Sequence, residues 1–155
     1  MEYHHKQFGT VIVAGLSAAI VFLNFLFLKS AELQAIQIEI LVVLLAAIAL
    51  FYSLTVEIND STLIIRMGIG LIQKRIPLSE IRQARKVQIP WFAGWGIHYV
   101  PWRYRVWNVS GLRGVELTLS DGIRFCIGTD EPETLVSAIE ENKAKGIKSN
   151  GDSLI

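Results

Sequence analysis

Hydrophobic positions fall into two blocks before the pattern changes character. From Phe8 to Leu28 no charged residue interrupts 21 positions. As a helix these would reach about 31 Å at about 1.5 Å per residue, enough for a bilayer core of about 30 Å. A second apolar run, Ile40 to Leu54, follows closely and is extended upstream by Leu33, Ala35, Ile36 and Ile38. The pattern predicts a transmembrane helical hairpin over residues 1–54, with spans at about 8–28 and 35–54 and a short polar lead, Met1 to Gln7. The first run is longer than the apolar core of a cleaved signal peptide. A hairpin buried in a soluble core would need more partner surface than the rest of the chain offers. Asn24, the most polar residue of the first span, is expected to bond across to the second, because an unpaired amide in hydrocarbon is costly. Glu39 is expected to reach the interface beside Gln34 and Gln37.

After Leu54 the period becomes two, the signature of half-buried strands. Leu54, Val56 and Ile58 alternate with polar residues, and Leu63, Ile65 and Met67 follow the turn Asn59-Asp60-Ser61. Ile72–Pro77, Ile81–Ile89, Tyr104–Val109, a strand through Val115, Leu117 and Leu119, and one through Ile123, Phe125 and Ile127 bring the expected total to seven. Asp121-Gly122 marks the last hairpin. A helix is expected to close the domain: Asp130 and Glu133 have capping-box spacing, Pro132 lies in the first turn, Leu135, Val136 and Ile139 form an apolar face, and Gly146 is the expected stop. The predicted architecture is a mainly-β domain over residues 55–145, a seven-stranded antiparallel sandwich or barrel capped by a C-terminal helix, with a disordered tail at 146–155.

Composition sharpens the picture only where it is uneven. The net charge is +1, yet between Thr62 and Arg113 nine basic residues face Glu80 alone, while from Gly114 to Glu141 seven acidic residues face Arg124 alone. A basic half-domain suits anionic lipid or an acidic partner. The single cysteine, Cys126, excludes an intrachain disulfide and fits a reducing compartment. Two spans put both termini on one side. The short loop between them carries Lys29 and Glu32, whereas Lys6, Arg66, Lys74 and Arg75 lie on the terminal side. The positive-inside tendency therefore places both termini in the cytoplasm of a multi-pass protein of the inner (plasma) membrane.

The order of elements, seven strands then one helix, is similar to that of pleckstrin-homology domains. The run Gly94-Trp95-Gly96-Ile97, then Trp107-Asn108-Val109-Ser110-Gly111, Gly114-Val115-Glu116-Leu117, Asp121-Gly122 and Ile127-Gly128-Thr129-Asp130 with Pro132-Glu133 resembles the bacterial PH-domain membrane proteins. That resemblance implies the fold and the N-terminal hairpin, in a family of short proteins with no established catalytic activity, and implies little about biochemical role. One departure stands out. The phosphoinositide-binding PH domains of eukaryotes resemble each other in a basic loop between their first two strands, and here that turn is the short, acidic Asn59-Asp60-Ser61.

Catalytic signatures are missing from the sequence: it has no phosphate loop, H-E-x-x-H, C-x-x-C or G-x-S-x-G. His4 and His5 lack further ligands nearby, His98 stands alone in an aromatic loop, and Cys126 reads as core filler, so no enzyme activity, metal or cofactor is expected. The informative stretch is aromatic: Trp91, Phe92, Trp95, Tyr99, Trp102, Tyr104 and Trp107 lie within 17 positions, interleaved with Arg103 and Arg105. Trp and Tyr favour the membrane interface, and the alternative is that they plug one end of the sandwich. Trp91, Trp95, Trp102, Arg103, Arg105 and Lys86 are the candidate lipid- or partner-binding residues. The expected partners are membrane lipids, a membrane protein or a second copy of the chain, not nucleic acid. The alternative reading is an accessory or scaffold subunit of a larger membrane complex.

Overall fold

The structure is a computed structural model that describes residues 3–27, 34–59, 61–100 and 104–151. Strand β1 (Tyr3–Phe8) leads directly into helix α1 (Thr10–Phe27). Helix α2 (Gln34–Phe51) returns into β2 (Ser53–Asn59), followed by β3 (Thr62–Met67) and β4 (Ile72–Pro77). Strands β5 (Ile81–Gln88), β6 (Gly96–Val100), β7 (Tyr104–Asn108), β8 (Arg113–Leu119) and β9 (Arg124–Gly128) come next, and helix α3 (Pro132–Gly151) ends the described chain.

Helix α1 is long and apolar enough to cross a membrane, and none of its residues is buried. The apolar part of α2, Ala35–Phe51, is shorter. The expected polar bond between the helices is present: Gln37 Nε2 donates to Asn24 Oδ1 at 3.0 Å, and Asn24 Nδ2 donates to the Ile20 carbonyl at 2.8 Å.

The β part is not a single seven-stranded antiparallel sandwich. It has nine described strands in two sheets, ordered β1-β2-β3-β4 and β5-β8-β9-β7-β6. The first sheet is antiparallel throughout. In the second, β7 runs parallel to β9, with Arg105, Val106 and Trp107 opposite Phe125, Cys126 and Ile127. Two strands escape the hydrophobic pattern. In β1 the inward positions are Tyr3, His5 and Gln7, too polar to register as an alternating strand, so the expected polar lead is in fact the edge of the first sheet. Strand β6 is five residues long and lies inside the Trp- and Gly-rich stretch.

The main core lies between the sheets and α3. Leu54, Val56 and Ile58 from β2, Leu63, Ile65 and Met67 from β3, and Leu117, Phe125 and Ile127 from the second sheet meet Leu135 and Ile139 of α3, and Val136 packs at the edge. The apolar face expected for the closing helix is thus the buried one. Gly146 does not stop it: the helix runs on to Gly151, and Gly146 is not among the glycines with positive φ. A lone helical glycine costs only about 1 kcal/mol relative to Ala, and helix-forming Lys143, Ala144 and Lys145 precede it. The opposite face of the second sheet carries a smaller core of Ile89, Ala93, Val100, Val106 and Cys126, closed by a short 3-10 turn at Trp91–Ala93.

Helices and sheets are joined by backbone contact as well as sequence. The Gly9 N–H donates to the Tyr52 carbonyl at 2.7 Å, and a Cβ on Gly9 would come within 2.8 Å of the Phe51 carbonyl oxygen. The β3–β4 turn docks on the end of α2: Gly68 N–H donates to Ser53 O at 2.8 Å and Ile69 N–H to Ala49 O at 3.1 Å. Gly68 has φ +52°, and any Cβ there would collide with the Ala49 and Leu50 carbonyls.

Candidate functional site

Strand register fixes which end of the β part lies at the helix roots. Phe8 pairs with Ser53, and Gln7, Leu54, Met67 and Ile72 form the next row. In the second sheet Gly96 pairs with Asn108, and Gly96 and Ile97 line a groove with Val11 and Ile12 of α1. The Thr10 and Ser110 hydroxyls are 3.2 Å apart. Asn108, fully buried, ties this end together: its Nδ2 donates to Gly111 O at 3.0 Å, and its Oδ1 accepts the Ser110 N–H at 3.3 Å.

Large apolar side chains are exposed mainly at that end. Ile69 and Leu71 stand on the turn docked against α2, Trp95 and Ile97 line the groove beside α1, and Trp91 and Phe92 stand on the 3-10 turn that precedes them. Leu71 and Trp91 are 75% and 79% exposed, values at which a large apolar side chain gains almost nothing from folding. At the far end the turn before β9 exposes Ile123, and Tyr99 lies between. The aromatic stretch therefore divides. Trp107 packs on the main core, edge-on to Phe125 with ring centroids 5.6 Å apart. Trp91, Phe92, Trp95 and Tyr99 face outward.

Of the residues the sequence singles out, Trp95 lines the groove beside α1, and Trp91 stands exposed on the 3-10 turn that precedes it. Arg105 is exposed on β7, facing the same side of the sheet as Phe125, over whose ring the Lys74 ammonium sits 5.4 Å from the centroid. Lys86 belongs elsewhere: it is on β5, beyond β8 and β9 from Arg105, and its Nζ pairs with Glu133 Oε1 of α3 at 3.2 Å. Trp102 and Arg103 lie outside the described residues.

The remaining charged groups mostly hold the fold. Glu116, 2% exposed, accepts from Arg85 Nη2 at 2.7 Å and Nε at 3.1 Å, with Arg124 Nη1 at 3.9 Å. Its register partner Cys126 is buried, and burial, reinforced by the Glu116 charge, pushes the thiol up to about 12. His5 Nε2 lies 2.6 Å from Asp130 Oδ1 and its Nδ1 is 3.6 Å from Glu131 Oε2, tying β1 to the start of α3. Glu133 is held below the usual carboxylate range by its own backbone N–H and by Lys86. Among the described residues no group of three or more His, Cys, Asp or Glu side chains could hold a metal ion.

One cation at the helix roots was not singled out by sequence reasoning. Lys6 Nζ stands 5.2 Å from the Phe8 ring centroid and 5.1 Å from that of Tyr52, and the two rings are 6.4 Å apart. Only the β1–β2 pairing brings these distant positions together. Compared with protein-family models and with curated proteins, the chain matches none.

Proposed function

We propose that the chain is a membrane-anchored, non-enzymatic binding module. In this reading α1 and α2 cross the bilayer as a hairpin, and the β domain, of the pleckstrin-homology-like kind that the sequence resembles, sits on the cytoplasmic face and contacts lipid headgroups or a protein partner. One observation carries it: exposed large apolar side chains of the β part, Phe8, Ile69, Leu71, Trp95 and Ile97, stand around the helix roots, where a bilayer interface would cover them. The antiparallel pairing of β1 with β2 adds support, since it brings both ends of the hairpin to one place.

Native tryptophans provide the test. In proteoliposomes containing lipid with brominated acyl chains, wild-type emission should be strongly quenched. The double variant Trp91→Phe, Trp95→Phe, which keeps the core Trp107, should be quenched clearly less. Equal quenching would remove the observation on which the proposal stands. In the same vesicles the chain should resist alkaline carbonate extraction. Single cysteines at Ser120 and Ser30, in a Cys126→Ser background, should label from opposite sides.

A scaffold role in a larger membrane complex is the second reading. It is favoured by Gly15, which has open space around it on α1 and leaves room for another helix. A stoichiometric protein partner surviving gentle extraction would favour it over lipid contact.

A further inference from the structure

Between α1 and α2, just below the sheet, lies an open apolar groove of about 590 Å³ walled by Val13, Ala14 and Ile48. Its mouth is framed by Phe8 and Tyr52, and the Lys6 ammonium stands over both rings. We infer that this groove holds one anionic glycerophospholipid of the surrounding bilayer, an acyl chain between the helices and the phosphate on Lys6. The inference rests on the membrane reading above.

Three features point to that occupant. The walls are almost entirely apolar, with the Thr10 hydroxyl already meeting that of Ser110, and they belong to the segments proposed to lie in lipid. The ring pair gives the mouth an aromatic rim of the kind favoured where hydrocarbon meets headgroup. Lys6 also keeps its charge available. On the same outer face Arg66, in register with Thr55 and Lys6, is tied to Glu57 at 2.8 Å, whereas Lys6 has no carboxylate partner among the described residues. A cation stacked on two rings is attracted weakly at an exposed site, so a phosphate can recruit it while the rings continue to orient the stem.

The test uses the full chain in nanodiscs of equal parts phosphatidylglycerol and phosphatidylcholine with identical acyl chains, and native mass spectrometry of the released protein reads the lipid retained. Wild type should keep phosphatidylglycerol in preference. Lys6→Gln should lower that preference about fivefold, the scale expected for one basic residue near an anionic surface, while Lys6→Arg retains it. Arg75→Gln, one row further along the same face, should change nothing. Ala14→Trp, filling the groove, should reduce retention of both lipids. Equal effects of Lys6→Gln and Arg75→Gln would mean diffuse surface charge and overturn the seat. A bilayer-integrated chain with no lipid preference would overturn the seat and leave the membrane reading standing. Extraction by carbonate would remove both.

Discussion

At the scale of single residues, Cys126 shows how position governs chemistry. Its neighbours Phe125 and Ile127 belong to the main core, so alternation turns the thiol to the opposite face. That face is not solvent, because Val106, Val100 and Ala93 close over it. Reading the thiol as filler was possible from sequence. Its second core was not, because that core depends on the turn at 91–93 folding back. The consequence is testable through pH. An unfolded thiol releases its proton near 9, while the folded one holds it to about 12. Between those values the unfolded state binds fewer protons, so this contribution to stability is complete below 9 and falls as pH rises toward 12. Chemical denaturation across pH 8–11 should show that decline, and Cys126→Ala should flatten it. At pH 8 the native thiol should react with Ellman's reagent far more slowly than in denaturant; equal rates would contradict its burial.

At the scale of elements, the closing helix and the edge strand make opposite lessons. Leu135 and Ile139 are fully buried against β5 and β8, and their spacing with Val136 was plain in the sequence. Leu135→Ala should lower stability by about 2–4 kcal/mol, the usual range for a large buried aliphatic truncated to a methyl group, read by denaturant titration in detergent. A change below about 0.5 kcal/mol would mean that the helix is not integral to the core. Strand β1 was illegible because burial there falls on Gln7 and Tyr3 instead of aliphatic residues. Its partners are supplied by the fold, with Gln7 Nε2 donating to Ser110 O at 3.2 Å and His5 meeting Asp130. The candidate site divides in the same way. Trp91 and Trp95 announce themselves by type, but the company Trp95 keeps with Ile69 and Leu71 at the helix roots follows from the docking of the β3–β4 turn on α2 and of the start of β6 beside α1, contacts between distant segments that no local pattern encodes.

Over the whole molecule, the helices are an insertion into a β-hairpin. Phe8 and Ser53 are direct register partners on antiparallel strands, so everything from Gly9 to Tyr52 occupies the place of a turn. Loop closure is therefore provided by the packed helix pair, which brings β1 to β2 while Gln7 and His5 fasten it to Ser110 and Asp130. A sheet built this way is conditional on its insertion, yet it is replaceable. Joining Phe8 to Ser53 through Asn-Gly, a two-residue connection that matches strand twist, should return the first sheet to an ordinary four-stranded meander. That shortened chain should melt cooperatively. A fragment beginning at Thr55, which discards β1 and the first two residues of β2, should lose the cooperative transition. If the Thr55 fragment melts as sharply and as high as the Asn-Gly chain, β1 is dispensable. Otherwise the first residues of the chain and those beyond the hairpin form one cooperative unit, which no cut between helices and sheets can separate.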